Sequence, residues 1–387
     1  MKKYLIRTVK ILSLLLAILI AVGVLQEFVL AHTDHNRQRV KGFYLEDKDS
    51  LDVVIVGASE VYADYSSCYA YEKYGITSYP LASQSSTILN YKAQIQNAIK
   101  NQHPKLILCE LNGVIYGSDV QLDNDANFRN YFDNTPLDEI KVEGVNTYID
   151  SGIATIDEYG EIFEYYNPIV KYHNIWNDWP KWLHWSKGTI DSQFRGYSLL
   201  KGAKNKTQVF TTNNKIYNDE LPTLTKTSEI SENCEKYLRE LLDWLKEENI
   251  DNVVFTRFPH IVDKTTLERY YRNNYTRKIL EEYGAEYLDL ERDCSKLPLD
   301  LKNDFYNLDH LNVYGQKKFT EYLCEYMMEN YGITAADLTD KQKAEWDESV
   351  KYYEAYYDYN VDMIKQGKNK EIGESDDQIK KIEAYIK

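Results

Sequence analysis

Cysteine is scarce in this chain, and its spacing follows no known pattern. The 387 residues include five cysteines, an odd number that leaves at least one thiol unpaired within the chain. No two of them have the spacing of metal ligands. The sequence therefore implies neither a disulfide framework nor a metal site, and we expect no cofactor.

Basic residues are also in deficit. Lys and Arg total 46 against 61 Asp and Glu, for a formal net charge of −15 at pH 7. A nucleic-acid-binding protein needs the opposite balance, so this class is excluded. An acidic body also repels anionic polymers, so a strongly polyanionic substrate would require a local basic groove. No internal repeat of solenoid or propeller period is evident.

Only one long hydrophobic run is present, and it lies at the amino terminus. Four basic residues in the first ten positions precede an apolar run from Ile11 to Leu25, and apolar residues resume at 28–30. About twenty such residues span a bilayer, and the basic flank stays in the cytoplasm. Residues 1–31 are therefore predicted to be a single-pass anchor in the cell membrane, with the following domain outside the cell. A signal peptide cleaved after Val29-Leu-Ala31 is the alternative.

Beyond the anchor, segments with strand character alternate with segments of helical periodicity. The predicted strands are 51–56, 105–109, 250–256 and 286–290, and the predicted helices are 88–100, 230–248, 265–283 and 315–328. Such alternation indicates an α/β domain with a parallel sheet covered on both faces.

The remaining segments complete the predicted organisation. A polar linker (32–50) leads into the α/β domain (51–333), which contains a long insertion at about 117–224 that lacks sustained periodicity. Residues 334–387 form a charged, tyrosine-rich tail with helical spacing. We expect a solvated helical appendage there, with docking on the domain or on a partner as the alternative.

The insertion contains an unusual aromatic stretch, with four tryptophans in the ten positions from Trp176 to Trp185. Aromatic rings stack on sugar faces, so a glycan-binding lid is one interpretation. An aromatic patch that fixes the insertion to the main domain is the other. His173 and His184 have no partner at metal-ligand spacing and are interpreted as structural.

A serine and a histidine form the candidate catalytic pair. Ser59 follows the first predicted strand directly, at a strand-to-helix turn that lifts its hydroxyl clear of the sheet and supplies backbone N–H groups. A hydroxyl needs a base to become a good nucleophile, and imidazole is the usual one near neutral pH. We therefore predict Ser59 as the nucleophile and His310 as the base. An N-cap or tight-turn role for Ser59 is the alternative.

Four stretches of the chain resemble the sequence blocks of the SGNH/GDSL hydrolase superfamily. Val54–Glu60 looks like the nucleophile block and Asp309–Gly315 like the histidine block, whereas Tyr79–Gln84 and His103–Asn112 resemble the second block and the third strand. The resemblance covers roughly residues 50–333. Within the superfamily it is to the membrane-anchored branch typified by teichoic-acid D-alanyl transfer and alginate O-acetylation proteins.

This resemblance implies a three-layer, flavodoxin-like SGNH domain with a parallel sheet and a long insertion. It also implies an oxyanion hole built from a backbone N–H near Ser83 and Gln84 and from the amide of Asn112. An Asx turn or helix cap is the competing interpretation of Asn112. Arg257 ends another predicted strand on the same edge, where it either touches substrate or has no role.

One departure from the family pattern concerns the residue that orients the histidine. The family usually places an aspartate three residues before it, where this chain has Asn307. Asparagine can orient the ring but supplies no charge to stabilise the imidazolium, a loss that is large in a well-studied triad. Asp304 and Asp309 are the candidate substitutes.

The resemblance implies an extracytoplasmic serine acyltransferase that modifies a cell-surface polysaccharide or teichoic acid with acetyl or D-alanyl groups. The expected partner is a multi-spanning membrane O-acyltransferase of the MBOAT type. A carbohydrate esterase is the first alternative, since transfer and hydrolysis share an acyl-serine intermediate. A catalytically weak glycan-binding or scaffold subunit is the second.

Overall fold

A five-stranded sheet, parallel throughout, organises the protein in the computed structural model. The structure describes residues 2–29, 34–116, 118–153, 159–178, 180, 187–368 and 381–386. The strands are β1 (Val53–Gly57), β2 (Ser78–Ala82), β3 (Leu106–Glu110), β4 (Val253–Arg257) and β5 (Tyr287–Asp289). Their order, β2-β1-β3-β4-β5, is one of the two common orders of doubly wound α/β sheets. The predicted α/β class with a parallel sheet is confirmed.

Helices account for most of the remaining described chain. They are α1 (Lys2–Val29), α2 (Asp34–Phe43), α3 (Ser59–Asp64), α4 (Ser67–Tyr74), α5 (Ile88–Gln102), α6 (Asn112–Ile115), α7 (Asp119–Asp123), α8 (Asp125–Phe132), α9 (Glu139–Asp150), α10 (Tyr159–Tyr166), α11 (Pro168–Lys171), α12 (Lys187–Arg195), α13 (Glu232–Glu247), α14 (Leu267–Tyr283), α15 (Val313–Tyr331) and α16 (Asp340–Lys365). The predicted insertion therefore contains α7 to α12.

The central strands are buried on both faces, which explains why they consist of continuous apolar runs. On one face, Val54 and Val56 of β1 pack with α5, α13 and α14. On the other face, Val53 and Ile55 pack with α3 and α15. Alternate residues of one strand thus enter two separate cores, and the domain has three layers.

The amino-terminal helix α1 is the one described helix that is long and apolar enough to cross a membrane. Its apolar segment, Lys3–Gln26, has 24 residues, and none of it is buried against the rest of the protein. Its leucine side chains point outward along the whole segment; Leu19, for example, is 68% exposed. Residues 30–33, which include the alternative cleavage position, lie outside the described chain.

The predicted polar linker is in fact a packed element. Helix α2 lies against β2 and buries Val40 and Phe43, which are three positions apart and share one face. The guanidinium of Arg39 lies 3.6 Å from the ring centroid of Tyr62, a cation–π contact. Two apolar residues in a polar decapeptide were too weak a pattern to predict this packing.

The carboxyl-terminal tail also packs on the domain rather than standing free in solvent. Helix α16 contacts α4 and buries a row of aromatic residues, among them Trp346, Tyr353, Tyr356 and Tyr359. These residues lie seven or three positions apart, so they share one helix face. The expected solvated appendage is therefore wrong, and the docked alternative is correct.

The aromatic stretch of the insertion is described only in part. Trp176 is half exposed, and its indole N–H donates to the Ile169 carbonyl at 3.0 Å. Trp179, Trp182, Trp185 and His184 lie outside the described residues. The lid and patch interpretations of this stretch both remain predictions.

Candidate active site

The candidate nucleophile lies where the strand order of the sheet reverses. Ser59 begins α3 directly after β1, and Asn112 begins α6 just after the adjacent β3. Ligands of open α/β sheets bind in the crevice at such a point, outside the carboxyl ends of the strands. Gly57 makes the sharp exit from β1 possible, since its φ is +147° and a Cβ there would collide with the backbone of Glu110.

Two hydrogen bonds connect the region around His310 to helix α3, which carries Ser59. One comes from the histidine loop (residues 304–312) and the other from the start of α15. The Leu311 N–H donates to Asp64 Oδ1 at 2.8 Å, and Gln316 Nε2 donates to the Ala63 carbonyl at 2.7 Å. At the end of the loop, Asn312 Oδ1 caps α15. Segments about 250 positions apart in sequence are thereby held side by side.

The serine and the histidine lie within hydrogen-bonding distance. His310 Nε2 is 2.8 Å from Ser59 Oγ, and His310 Nδ1 is 3.0 Å from Asn307 Oδ1. Asn307 Oδ1 also accepts the backbone N–H groups of Asp309 and His310, both at 2.8 Å. This oxygen is therefore an acceptor, so His310 carries its proton on Nδ1 and offers the lone pair of Nε2 to Ser59.

Both candidate substitutes for the missing aspartate accept hydrogen bonds from other groups. Asp309 accepts from the Tyr116 hydroxyl at 2.6 Å and from Arg269 at 2.9 Å. Asp304 is buried, where it accepts from Lys318 and from the backbone N–H of Asp300, both at 2.7 Å. Asn307 is thus the residue that orients the histidine.

The predicted oxyanion donors near the second block have other partners. The Gln84 N–H donates to Asn36 Oδ1 at 2.9 Å, and Ser83 Oγ lies 2.7 Å from Ser86 Oγ. The chain turns at Ser85, whose φ is +56°. The residues of this segment that line the cavity are therefore Ser85, Ser86 and Thr87, which follow the predicted pair in sequence. Gln84 is not an oxyanion donor.

Asn112 borders the cavity with its amide orientation fixed. Its Oδ1 accepts from Arg257 at 2.6 Å, and its Nδ2 donates to Glu60 Oε1 in a short hydrogen bond. Because an arginine can only donate, the amide oxygen must face it. The NH₂ group therefore faces Glu60 and the cavity.

Arg257 does not touch the cavity, contrary to the prediction of a substrate contact. The side chain is 1% exposed and lies between two buried carboxylates, Glu110 at 3.2 Å and Glu291 at 3.4 Å. Burial alone lowers the pKa of Arg257, but the charges of Glu291 and Glu110 outweigh that effect and raise it. Arg257 is a structural cation beneath the site.

Glu60 is the residue that sequence analysis overlooked. It is 1% exposed, and its Oε2 lies 3.3 Å from Ser59 Oγ. Burial, together with the negative charge of Glu110, raises the pKa of Glu60 well above its usual value, although Arg257 acts in the opposite direction. The available signal was an acidic residue directly after the candidate nucleophile.

A small polar cavity of about 190 Å³ opens beside Ser59. Its lining consists of Ala58, Ser59, Glu60, Ser85, Ser86, Thr87, Asn112, Gly113, Tyr116, Gln121, Asn127, Asp309 and His310. Most of these residues carry a hydroxyl or an amide group. Asp309 is paired with Arg269.

Comparisons with known proteins found no relative of this chain. No family model matches it, and neither the curated proteins nor the solved structures gave a significant match. The function of the candidate site is therefore argued from its geometry.

Proposed function

We propose that this protein is a membrane-anchored serine acyltransferase of the SGNH type, acting on the outer side of the cell membrane. One observation carries the proposal: Ser59 Oγ lies 2.8 Å from His310 Nε2, and Asn307 binds the opposite ring nitrogen. A nucleophile, its base and a group that orients the base are the parts that acyl-serine chemistry requires.

In the first half of the proposed reaction, Ser59 Oγ attacks the carbonyl carbon of a donor ester while His310 Nε2 takes the hydroxyl proton. The ester C–O bond breaks, and His310 returns this proton to the departing alcohol. In the second half, an acceptor hydroxyl attacks the acyl-serine and gives its proton to His310. Ser59 then leaves with that proton, and the acyl group rests on the acceptor.

In the proposed mechanism, two N–H groups stabilise the oxyanion that forms in each half. Ser59 is the first residue of α3, where backbone N–H groups have no acceptor within the helix. The NH₂ group of Asn112 has two hydrogens, of which one goes to Glu60. The other is available to a substrate oxygen in the cavity, and such donors typically contribute 10²–10³-fold to rate.

The cavity and the apolar helix α1 both support the proposed class of substrate. A volume of about 190 Å³ fits a short acyl group such as acetyl or D-alanyl rather than a fatty acid. Helix α1 is long enough to hold the site at a membrane surface. A cell-surface polysaccharide or teichoic acid is then the acceptor, and a multi-spanning membrane O-acyltransferase delivers the acyl group.

Turnover of p-nitrophenyl acetate by the detergent-solubilised full-length protein tests the proposal. We expect release of p-nitrophenol by the wild type and none above background by Ser59→Ala. Ser67→Ala is the matched control, since Ser67 is buried in α4 and its Oγ has no hydrogen-bond partner. Equal turnover by all three proteins would refute an acyl-serine mechanism.

Adding a polysaccharide acceptor separates transfer from hydrolysis. A transferase gives acylated polymer, detected by mass spectrometry, and releases p-nitrophenol faster as acceptor is added. An esterase instead releases free acetate at a rate that does not depend on the acceptor. Absence of turnover under both conditions would favour a glycan-binding or scaffold subunit.

A further inference from the structure

We propose that Glu60 is a positioning residue that, as a neutral carboxylic acid, links Ser59 to the amide of Asn112. The inference rests on the proposed function, because it assigns Glu60 to the same acyl-transfer site. A chain of hydrogen bonds runs through Glu60, and groups at both ends of the chain fix its direction.

At the buried end, Arg257 sets the direction. It can only donate, so Asn112 accepts with Oδ1 at 2.6 Å and must present its NH₂ group to Glu60. Glu60 Oε1 is therefore an acceptor. In a neutral carboxylic acid this is the carbonyl oxygen, which leaves Oε2 to carry the proton.

At the cavity end, Asn307 sets the direction. Its Oδ1 accepts two backbone N–H groups, so His310 Nδ1 is the donor and Nε2 the acceptor. Ser59 has a single hydroxyl hydrogen, and the 2.8 Å contact with His310 is shorter than the 3.3 Å contact with Glu60. When that hydrogen goes to His310, the contact between Ser59 and Glu60 is a hydrogen bond only if Glu60 Oε2 carries a proton.

The surroundings of Glu60 oppose its ionisation. Carboxylates approach from three elements: Glu110 at the end of β3, Asp64 on α3 and Asp309 in the histidine loop. The nearby hydroxyl of Tyr91 and ring of His310 bring no positive charge while His310 is neutral. Among the described residues, Arg257 is the cation that most favours ionisation of Glu60, and it is shared with Glu110 and Glu291.

A neutral Glu60 leaves the serine hydrogen to the histidine and keeps negative charge away from the forming oxyanion. An ionised Glu60 would instead compete with His310 for the hydroxyl hydrogen of Ser59. Activity should therefore fall at alkaline pH as Glu60 loses its proton. This loss is separate from the acid-side loss that follows protonation of His310.

The test compares Glu60→Gln with Glu60→Ala in the full-length protein. Glutamine keeps one acceptor for Asn112 and one donor for Ser59 without a titrating proton. We expect Glu60→Gln to retain activity within about threefold and to lose the alkaline decline of the pH profile. Glu60→Ala should lose roughly 10²-fold in kcat, the size expected when a reacting group is misplaced by about 1 Å.

Either of two results would overturn the proposal. If Glu60→Gln is as inactive as Glu60→Ala, the negative charge of Glu60 is required. If Glu60→Ala is as active as the wild type, Glu60 positions neither Ser59 nor Asn112. Thermal melting shows whether the alanine variant is folded. If it is not, the comparison of wild type with Glu60→Gln still decides.

Infrared difference spectroscopy separates failure of this inference from failure of the proposed function. The wild type minus Glu60→Gln spectrum at pH 7 should show the C=O band of a protonated carboxylic acid, whether or not any substrate is turned over. If that band is absent, Glu60 is ionised and the inference is wrong, even for an active enzyme. If it is present in a protein without acyl-serine activity, the proposed function fails instead.

Discussion

The surroundings of Ser59 differ in burial and in charge between its cavity side and its inner side. On the cavity side, the serine contacts His310, which in turn binds Asn307; both residues are partly exposed and bring no fixed charge. On the inner side, it contacts Glu60, which adjoins a cluster of almost fully buried residues around Arg257. In this protein the residues that orient the base are therefore separate from the residues that carry charge.

This comparison separates two roles that an aspartate at position 307 would combine. Asn307 fixes the tautomer of His310 because backbone N–H groups force its oxygen to be the acceptor. It provides no negative charge when His310 is protonated. The two aspartates nearest to it in sequence, Asp304 and Asp309, bind other groups.

The largest expected effect comes from removing the buried cation. Arg257→Leu leaves Glu110 and Glu291 buried without a counter-charge and frees the amide of Asn112. We expect a destabilisation of about 3–5 kcal/mol, as is typical when one partner of a buried ion pair is lost. Thermal unfolding in detergent measures it.

Arg239→Leu is the matched control for this prediction. Arg239 also bonds two carboxylates, Glu235 and Glu282, but all three side chains are at the surface. Its loss should cost less than about 1 kcal/mol. If both variants are destabilised equally, the inner side of Ser59 does not depend on buried charge.

A smaller effect is expected from restoring charge on the cavity side. Asn307→Asp keeps an oxygen for the three N–H donors and adds a negative charge beside the imidazolium. We expect kcat to rise about tenfold or more, the reverse of the loss seen when a triad aspartate becomes asparagine. Asn307→Ala should lower kcat because the ring loses its orienting partner. An unchanged kcat in Asn307→Asp would mean that charge at this position does not limit the reaction.

The smallest effect concerns stability and pH. The pKa of Glu60 is raised in the folded state. The stabilising contribution of this carboxyl group is therefore fully present below its unfolded pKa of about 4.3. It is lost as pH rises from that value toward the folded-state pKa. Each unit of that shift costs about 1.4 kcal/mol. Glu60→Gln should match wild type near pH 4 and become the more stable protein as pH increases. Parallel stability curves would show that Glu60 is ionised in the folded state.

Four of the five strands were predicted from sequence, because buried strands such as Val53–Gly57 are short runs of apolar residues. The strand β2 was not predicted, since Ser78 and Pro80 interrupt its apolar pattern. The packing of α2 and α16 was not predictable in this way. Their contact residues are a few apolar side chains or tyrosines among charges, and only the shape of the domain decides whether they are covered.

The residues of the candidate site also fall into two groups: those that local sequence identifies and those that only the fold brings into place. Ser59, His310 and Asn307 were identified because they occupy recognisable positions beside a strand or helix, and the structure places the His310 ring within 3.0 Å of both Ser59 and Asn307. Glu60 and Asp64 gain their roles from the pairing of β1 with β3 and from the approach of the histidine loop. No local pattern encodes these long-range contacts.

Labelling with a fluorophosphonate probe tests the central claim, that Ser59 is an activated nucleophile, most directly. The full-length protein in detergent is treated with the probe and compared with Ser59→Ala, His310→Ala and the control His173→Ala. The His173 ring is exposed and is not among the residues that line the cavity. The account predicts labelling of the wild type and the control and none of the other two variants. A wild type that remains unlabelled, or a Ser59→Ala variant that is still labelled, would contradict it.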